Sequence, residues 1–482
     1  MPFTMSRNEI RDVYRQGEDA VVALIETYIE RLNALERDVA TLKAQVAKNS
    51  HNSSKPPSSD MHRTPRSLRA VGEKPSGGQP GHEGHALKQR ANPDHIVKHR
   101  VQGMCQCGRH AGKGRNIGCE RRQVFDLPPP PQLEVTEHQA EILECACGQV
   151  HVAAFPEGVN APVQYGERVK ATTTYLSSYQ LLPQKRTTEA MDDLFGVPLS
   201  QGAINNFQKQ AYQRLEKTED ATKEAIRSSP VMHVDETGMY VGGKRLWQHT
   251  FGTSLFTFFL CHPKRGGEAT RAAGILQGYA GRAIHDAWQP YFDFDILHGL
   301  CNAHHLRELV FVKEDLGQRW AGTMIELLCR IKAAVDRGKT AGRSALAPAT
   351  LLRYRERYEH ILRCGYRANP DNAPPRKPGQ RGRRKQSPAR NLLDRLSRHA
   401  DEALAFMYDF RVPFDNNLAE RDLRMSKAKQ KISGCFRSMG GAQAFCRIRG
   451  YISTVRKHGS NVLDSLSKCF DPANQQVVLI ET

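Results

Sequence analysis

No apolar stretch in the chain approaches the roughly 18 residues that a membrane-crossing helix needs; the longest clear run is Leu255–Cys261. The first residues, MPFTMSRNEIRD, carry no apolar signal core. Acidic residues are too few to balance the basic ones, and the formal charge is +19. The first two shortages exclude a membrane protein and a secreted disulfide scaffold, so a cytoplasmic chain is expected. The third points to a polyanion, most often nucleic acid, with a merely solubilising surface as the plainer alternative. What is present argues for folded cores: 39% of residues are hydrophobic and 25% charged, unlike a disordered chain. At 482 residues the chain has room for about three domains.

Residues 1–50 carry a seven-residue beat. Ile25, Leu32, Val39 and Val46 alternate with Val21, Tyr28, Leu35 and Leu42, as a and d positions do, and mostly β-branched residues at a favour a parallel two-stranded coil. The plainer alternative is one amphipathic helix packed on its own domain. Residues 51–100 are rich in Ser, Pro, Gly, His and basic residues with almost no large apolar ones, as expected of a flexible basic linker. Residues 101–156 hold short strand-like stretches such as Leu133–Val135 and two close cysteine pairs, Cys105/Cys107 and Cys145/Cys147. In a cytoplasmic chain such pairs read as metal ligands rather than disulfides.

Residues 160–229 are expected to be helical. Within them, TTEAMDDLFGVPLSQGAINNFQKQ reads as a short helix, a Gly196–Pro198 turn and a helix capped by Ser200, in the manner of a DNA-binding helix-turn-helix or of an ordinary helical hairpin. Residues 230–430 begin with strands, VMHVDETGMYV, RLWQHTFGT and LFTFFLC, followed by a helix and two short strands ending near Asp286 and Leu300. That order implies a mixed α/β sheet. A helical stretch at about 304–408 follows, then a helix beginning near Asp415, and residues 431–482 are expected to be a tail. The fold class is therefore multidomain α and α/β.

Three acids stand out: Asp235 and Asp286 at strand ends, and Glu420 on a helix among arginines. Carboxylates so placed can converge on two hard cations roughly 4 Å apart, as in-line phosphoryl displacement requires. Equally, Asp235 could start a turn, Asp286 cap a helix and Glu420 pair with Arg421 or Arg424. The basic loop with Arg376, Lys377, Arg381, Arg383, Arg384 and Lys385 reads as a clamp on DNA phosphates or as a solvated linker.

The motifs HNSSKPPSSD at 51–60, GGQPGHEGH at 77–85, RRQVFDLPPP at 121–130, APVQYGERVKA at 161–171, HVDETG at 233–238 and NNLAERDLR at 416–424 resemble, in order, those of transposases of insertion-sequence family 66. The resemblance implies an RNase H-like catalytic domain with a DDE triad and a helical insertion before the glutamate. The triad falls on Asp235, Asp286 and Glu420, holding two Mg²⁺ ions that Mn²⁺ can replace. Asp293 and Asp295 are fallbacks for the second acid and Asp422 a stand-in for the third. The usual DGY-like context of the second aspartate reads DAWQPY here, an alanine replacing the glycine.

The resemblance also implies structural zinc on Cys105, Cys107, Cys145 and Cys147. Both pairs read C-x-C where the family shows C-x-x-C, which turns more easily around one ion; His110, Cys119 and His151 are possible substitutes. CNAHHLREL contains a Cys-x-x-His element, Cys301 and His304, that reads most simply as a buried structural pair. The same stretch spells His-x-x-Arg through His304 and Arg307, a fragment of the tyrosine recombinase signature, but no tyrosine follows before Tyr354. The implied activity is that of a bacterial, nucleoid-associated transposase. It would cut the inverted-repeat ends of its own element and join them to target DNA, as a homodimer or higher oligomer, with accessory proteins of the same element as partners. The competing expectation is a DNA-binding copy without catalysis.

Overall fold

The computed structural model describes residues 5–49, 52, 87–128, 133–371 and 386–474. The chain opens with α1 (Arg7–Arg15), started by a reciprocal cap: Ser6 Oγ accepts from the Glu9 amide and Glu9 Oε2 from the Ser6 amide. Gly17, at φ +106°, separates it from the long α2 (Glu18–Ala47). The heptad residues Ile25, Leu32, Leu35, Val39 and Leu42 stay 47–59% exposed along α2. At its C-terminal end Ala47 meets the helical core, and just beyond the helix Asn52 Nδ2 donates to Asp315 Oδ2 at 2.8 Å.

An exposed antiparallel hairpin follows, β1 (Ile142–Glu144) with β2 (Val150–Val152). Leu133–Val135, expected as a strand, is not one. Helices α3 (Glu167–Thr174), α4 (Gln184–Phe195), α5 (Gln201–Arg214) and α6 (Glu216–Arg227) come next. The α4–α5 turn has the expected local chemistry. Gly196 ends α4 in the left-handed region at φ +61°, and the Ser200 hydroxyl accepts from the Ala203 amide at 3.1 Å.

The sheet comprises β3 (Val231–Val241), β4 (Lys244–Gly252), β5 (Thr257–His262), β6 (Arg282–His285) and β7 (Leu297–Leu300), with α7 (Gly267–Ala273) crossing between β5 and β6. The spatial order is β5-β4-β3-β6-β7; the first three are antiparallel, and β6 and β7 run parallel to β3. One face buries Met232, Val234, Phe251 and Phe258 against Ile226, Ile275, Leu276 and Tyr291. Met239, Val241, Phe259 and Cys261 belong to a second core, with Leu423, Phe445 and Cys446.

After β7 the chain makes a helical excursion: α8 (Asn302–Glu314), α9 (Arg319–Thr340), α10 (Pro348–Ala368), α11 (Pro388–Arg398) and α12 (Ala400–Tyr408). These enclose their own core, with Leu309, Trp320, Met324, Leu328, Tyr358, Leu393 and Leu404 buried around Ile284 of β6. The chain then returns to the sheet as α13 (Asn417–Ser433).

Residues 431–482 are not simply a tail, contrary to the sequence reading. They include α14 (Met439–Lys457) and α15 (Val462–Phe470). Phe445 and Cys446 pack under the sheet, while Ile448, Ile452, Leu466 and Phe470 share a core with Phe207, Ala211 and Leu215 of the 160–229 region. That region is therefore fused to the sheet domain through α14. Two adjacent glycines and several β-branched residues weaken the helical signal of MGGAQAFCRIRGYISTVRK, and burial on two sides outweighs it. Among the described residues no helix is long and apolar enough to cross a membrane.

Candidate active site

Successive residues of β3 alternate between faces, so Asp235 lies on the same side as His233 and Met239, towards α13. Its Oδ1 accepts from the Glu236 amide at 2.8 Å. The α13 helix is tied to this strand by Asn416, which is 1% exposed. Asn416 Oδ1 meets His233 Nδ1 at 2.8 Å, its Nδ2 donates to the Val234 carbonyl at 2.8 Å, and its amide donates to Cys301 Sγ at 3.1 Å. Glu420 follows in the first turn of the helix. Asp286 caps β6, its Oδ1 accepting from the Trp288 amide at 3.0 Å.

The other two acids act on Asp235. Burial pushes the Asp235 carboxyl well above the usual carboxylate range, and the negative charges of Glu236, Asp286 and Glu420 push it further. The three carboxylates are nonetheless not gathered within 4.8 Å of one another. Among the described residues the one such grouping of acid, histidine and cysteine ligand atoms is Cys301, His304 and Glu420.

Glu236, which the sequence reading passed over within HVDETG, is a fourth carboxylate here. Its side chain is 2% exposed. Arg265 donates to Oε1 from Nε and Nη2 at 2.9 and 2.7 Å, and the Tyr291 hydroxyl donates to Oε2 at 2.6 Å. Burial raises its pKa, against the Tyr291 and Arg265 hydrogen bonds. Arg265 itself is held between the Trp247 and Trp288 rings, 4.8 and 4.5 Å from their centroids.

The turn after Asp286 is under backbone strain. Ala287 has φ +69°, a region that favours glycine. Its amide donates to His285 Nδ1 at 3.2 Å, which leaves the ring proton on Nε2 to donate to His298 Nδ1 at 3.0 Å. Burial holds His285 far below its ordinary pKa, so it stays neutral. The buried His285 imidazole, paired with the half-buried His298, thus supports the turn that follows Asp286.

The alternatives to the triad fare differently. Asp422 is engaged elsewhere: Lys457 Nζ lies 2.8 Å from Oδ2, and Thr257 and Ser453 hydroxyls donate at 3.1 Å each. Asp293 and Asp295 are exposed. Glu420 has its nearest basic partners on α8 rather than at Arg421 or Arg424, with Arg307 Nη2 at 3.9 Å and His304 Nδ1 at 4.0 Å.

The cysteine pairs form two matching turns. The Cys105 amide donates to the Arg109 carbonyl and the Cys145 amide to the Gln149 carbonyl, both at 2.8 Å, and Gly108 and Gly148 follow at φ +80° and +85°. The four sulfurs of Cys105, Cys107, Cys145 and Cys147 do not all lie within 4.8 Å of one another. His110 instead accepts from the Gly112 amide, and Cys119 and His151 are exposed. The loop residues Arg376, Lys377, Arg381, Arg383, Arg384 and Lys385 lie outside the described residues.

Residues 162–444, from the 160–229 helices through the sheet and all three carboxylates into α14, match the model of a family described as Transposase IS66 family. Residues 7–88 match a family of unknown function, DUF6444. No curated protein matches the chain.

Proposed function

Starting from the fact that the chain belongs to the IS66 transposase family, we propose that it cuts DNA at the ends of its own insertion sequence and joins them to target DNA. Asp235, Asp286 and Glu420 would hold two Mg²⁺ ions. The donors fit hard cations: all three are carboxylates, Asp235 is raised in pKa by burial and by its acidic neighbours, and Glu420 Oε1 is buried without a hydrogen bond. When bound, such ions lower the pKa of an attacking hydroxyl and stabilise the leaving oxygen.

The chain's own groups do the rest. Asn416 fixes α13 against β3 and so aims Glu420. The Ala287 turn aims Asp286, while Arg265 and Tyr291 hold the Glu236 carboxylate in place by hydrogen bonds. Burial keeps His304 neutral, so it adds no positive charge where a phosphodiester would enter. Hydrolysis of one strand would leave a 3′-hydroxyl, which then attacks the target phosphodiester with loss of the 3′-oxygen there. The strand order, three antiparallel strands followed by two parallel ones, supports an RNase H-like reading of this domain.

DNA recognition would fall to α5, whose exposed face offers Gln201, Asn205, Asn206, Lys209 and Gln213, side chains suited to base edges and phosphates. Subunits would pair through the apolar stripe of α2. The observation that carries the catalytic reading is the placement of the acids: Asp235 on β3, Asp286 at the end of the adjoining parallel strand β6, and Glu420 in the first turn of α13, which Asn416 ties to β3. Purified Asp235→Asn is expected to bind element ends as the wild type does and to lose both cleavage and strand transfer in Mg²⁺. Cutting at the wild-type rate by that variant would contradict it.

A further inference from the structure

The Cys-x-x-His element of α8 does not end in itself. Cys301 closes β7 and forms the N-cap of α8, and His304 stands one turn along. Across from both lies Glu420, and Sγ, the imidazole nitrogen and a carboxylate oxygen are all within 4.8 Å of one another. His304 Nδ1 and Glu420 Oε1 are buried, and neither has a hydrogen-bond partner. Arg307 and His304 approach that oxygen only to 3.9 and 4.0 Å. Buried polar atoms left open and facing one another are costly unless something fills the space between them.

We propose that Cys301, His304 and Glu420 form a site for one borderline-soft divalent cation, Zn²⁺ being the natural occupant. A thiol and an imidazole beside a single carboxylate suit Zn²⁺, whereas Mg²⁺ and Ca²⁺ take oxygen donors and leave sulfur and nitrogen aside. Three protein ligands leave a fourth position open. The Asn416 amide already donates to Cys301 Sγ, and the N-terminus of α8 lies beneath it; both favour a thiolate. Binding replaces the S–H bond by an S–Zn bond and releases the thiol proton to solvent. Because binding releases a proton, affinity rises with pH.

The site shares Glu420 with the hard-cation pair of the proposed reaction, and this part of the inference rests on that reading. Zn²⁺ drawing Glu420 towards Cys301 and His304 removes a ligand from Mg²⁺, so zinc acts as an antagonist of cleavage. The three-residue zinc site stands without it.

Co²⁺ serves as the spectroscopic probe, because a thiolate ligand gives a charge-transfer band in the near ultraviolet. The metal-free full chain is titrated with all four paired cysteines changed (C105S, C107S, C145S and C147S) to silence the hairpin. One equivalent of Co²⁺ is expected to produce the band, and Zn²⁺ to displace it. Adding Cys301→Ser abolishes the band, and adding His304→Ala weakens binding at least about tenfold; circular dichroism checks that both variants fold. Absence of the band in the parent, or its survival in the Cys301→Ser variant, overturns the site. In a separate cleavage assay in Mg²⁺, added Zn²⁺ inhibits the wild-type chain. Cleavage indifferent to Zn²⁺ despite an intact Co²⁺ site refutes the antagonism. A chain that never cleaves in Mg²⁺ refutes the proposed reaction and leaves the zinc site standing.

Discussion

Ala287 follows Asp286 directly and holds a backbone conformation that costs an alanine about 1–2 kcal/mol. The sequence shows the oddity only as an alanine where the family resemblance implies glycine, and the sign of φ is visible only in the fold. Ala287→Gly is expected to stabilise the protein by about 0.5–1 kcal/mol, because the relief exceeds the extra freedom glycine gains when unfolded. Thermal or urea unfolding measures it, and a neutral or destabilising result would mean that the strain is absent.

Asp235 gives a second prediction at this scale. Its folded-state pKa lies above its unfolded value, so its contribution is fully present below the ordinary carboxylate range and is lost as pH rises. Without divalent cations the wild type should therefore weaken relative to Asp235→Asn as pH rises from about 4 through and above the ordinary carboxylate range. The variant's advantage in Tm should grow with pH, by roughly 2–4 °C for each kcal/mol. A gap that shrinks with pH would contradict the sign.

The three acids of the proposed site stand out in the sequence because they occupy short motifs. Asn416 and Tyr291 were not, since each acts on residues far away along the chain: Asn416 on Val234 and Cys301, Tyr291 on Glu236. No local pattern announces such a partner.

Among the elements, α14 departs most from the sequence reading. It lies so close to β5 that a Cβ on Gly450 would stand 3.1 Å from the Thr257 carbonyl oxygen. Gly450→Val should therefore force the helix outward and cost about 1–3 kcal/mol, read as a lower urea midpoint with an unchanged slope. The strands of the sheet were legible because VMHV and LFTFFLC are apolar and β-branched or aromatic, and α4 and α5 because Gly196 and Ser200 mark their ends. The glycine pair and the β-branched residues of α14 gave no such clarity, because its helicity comes from tertiary burial. In the cysteine segment the paired spacing was plain while the separation of the two turns was not.

For the whole molecule, α2 presents Leu32 and Leu35 at 58% and 55% exposure, a stripe that no other part of the described chain covers. Leu35→Asp should convert a dimer into a monomer in light scattering, since a charge in a coiled-coil seam opposes pairing. A monomeric wild type would remove the basis for the coil. The total charge of +19 was readable at once. Its spatial division was not, because the acids of the proposed site come from β3, β6 and α13, elements far apart along the chain.

The helical excursion α8–α12 separates β7 from α13. During synthesis on the ribosome, Asp235 and Asp286 emerge long before Glu420, and Asn416 cannot reach Val234 until five intervening helices have been made and packed. Contacts this distant along the chain are slow to form, so a half-made or prematurely terminated polypeptide would hold two of the acids with no third. Such a fragment could touch DNA without being able to break it.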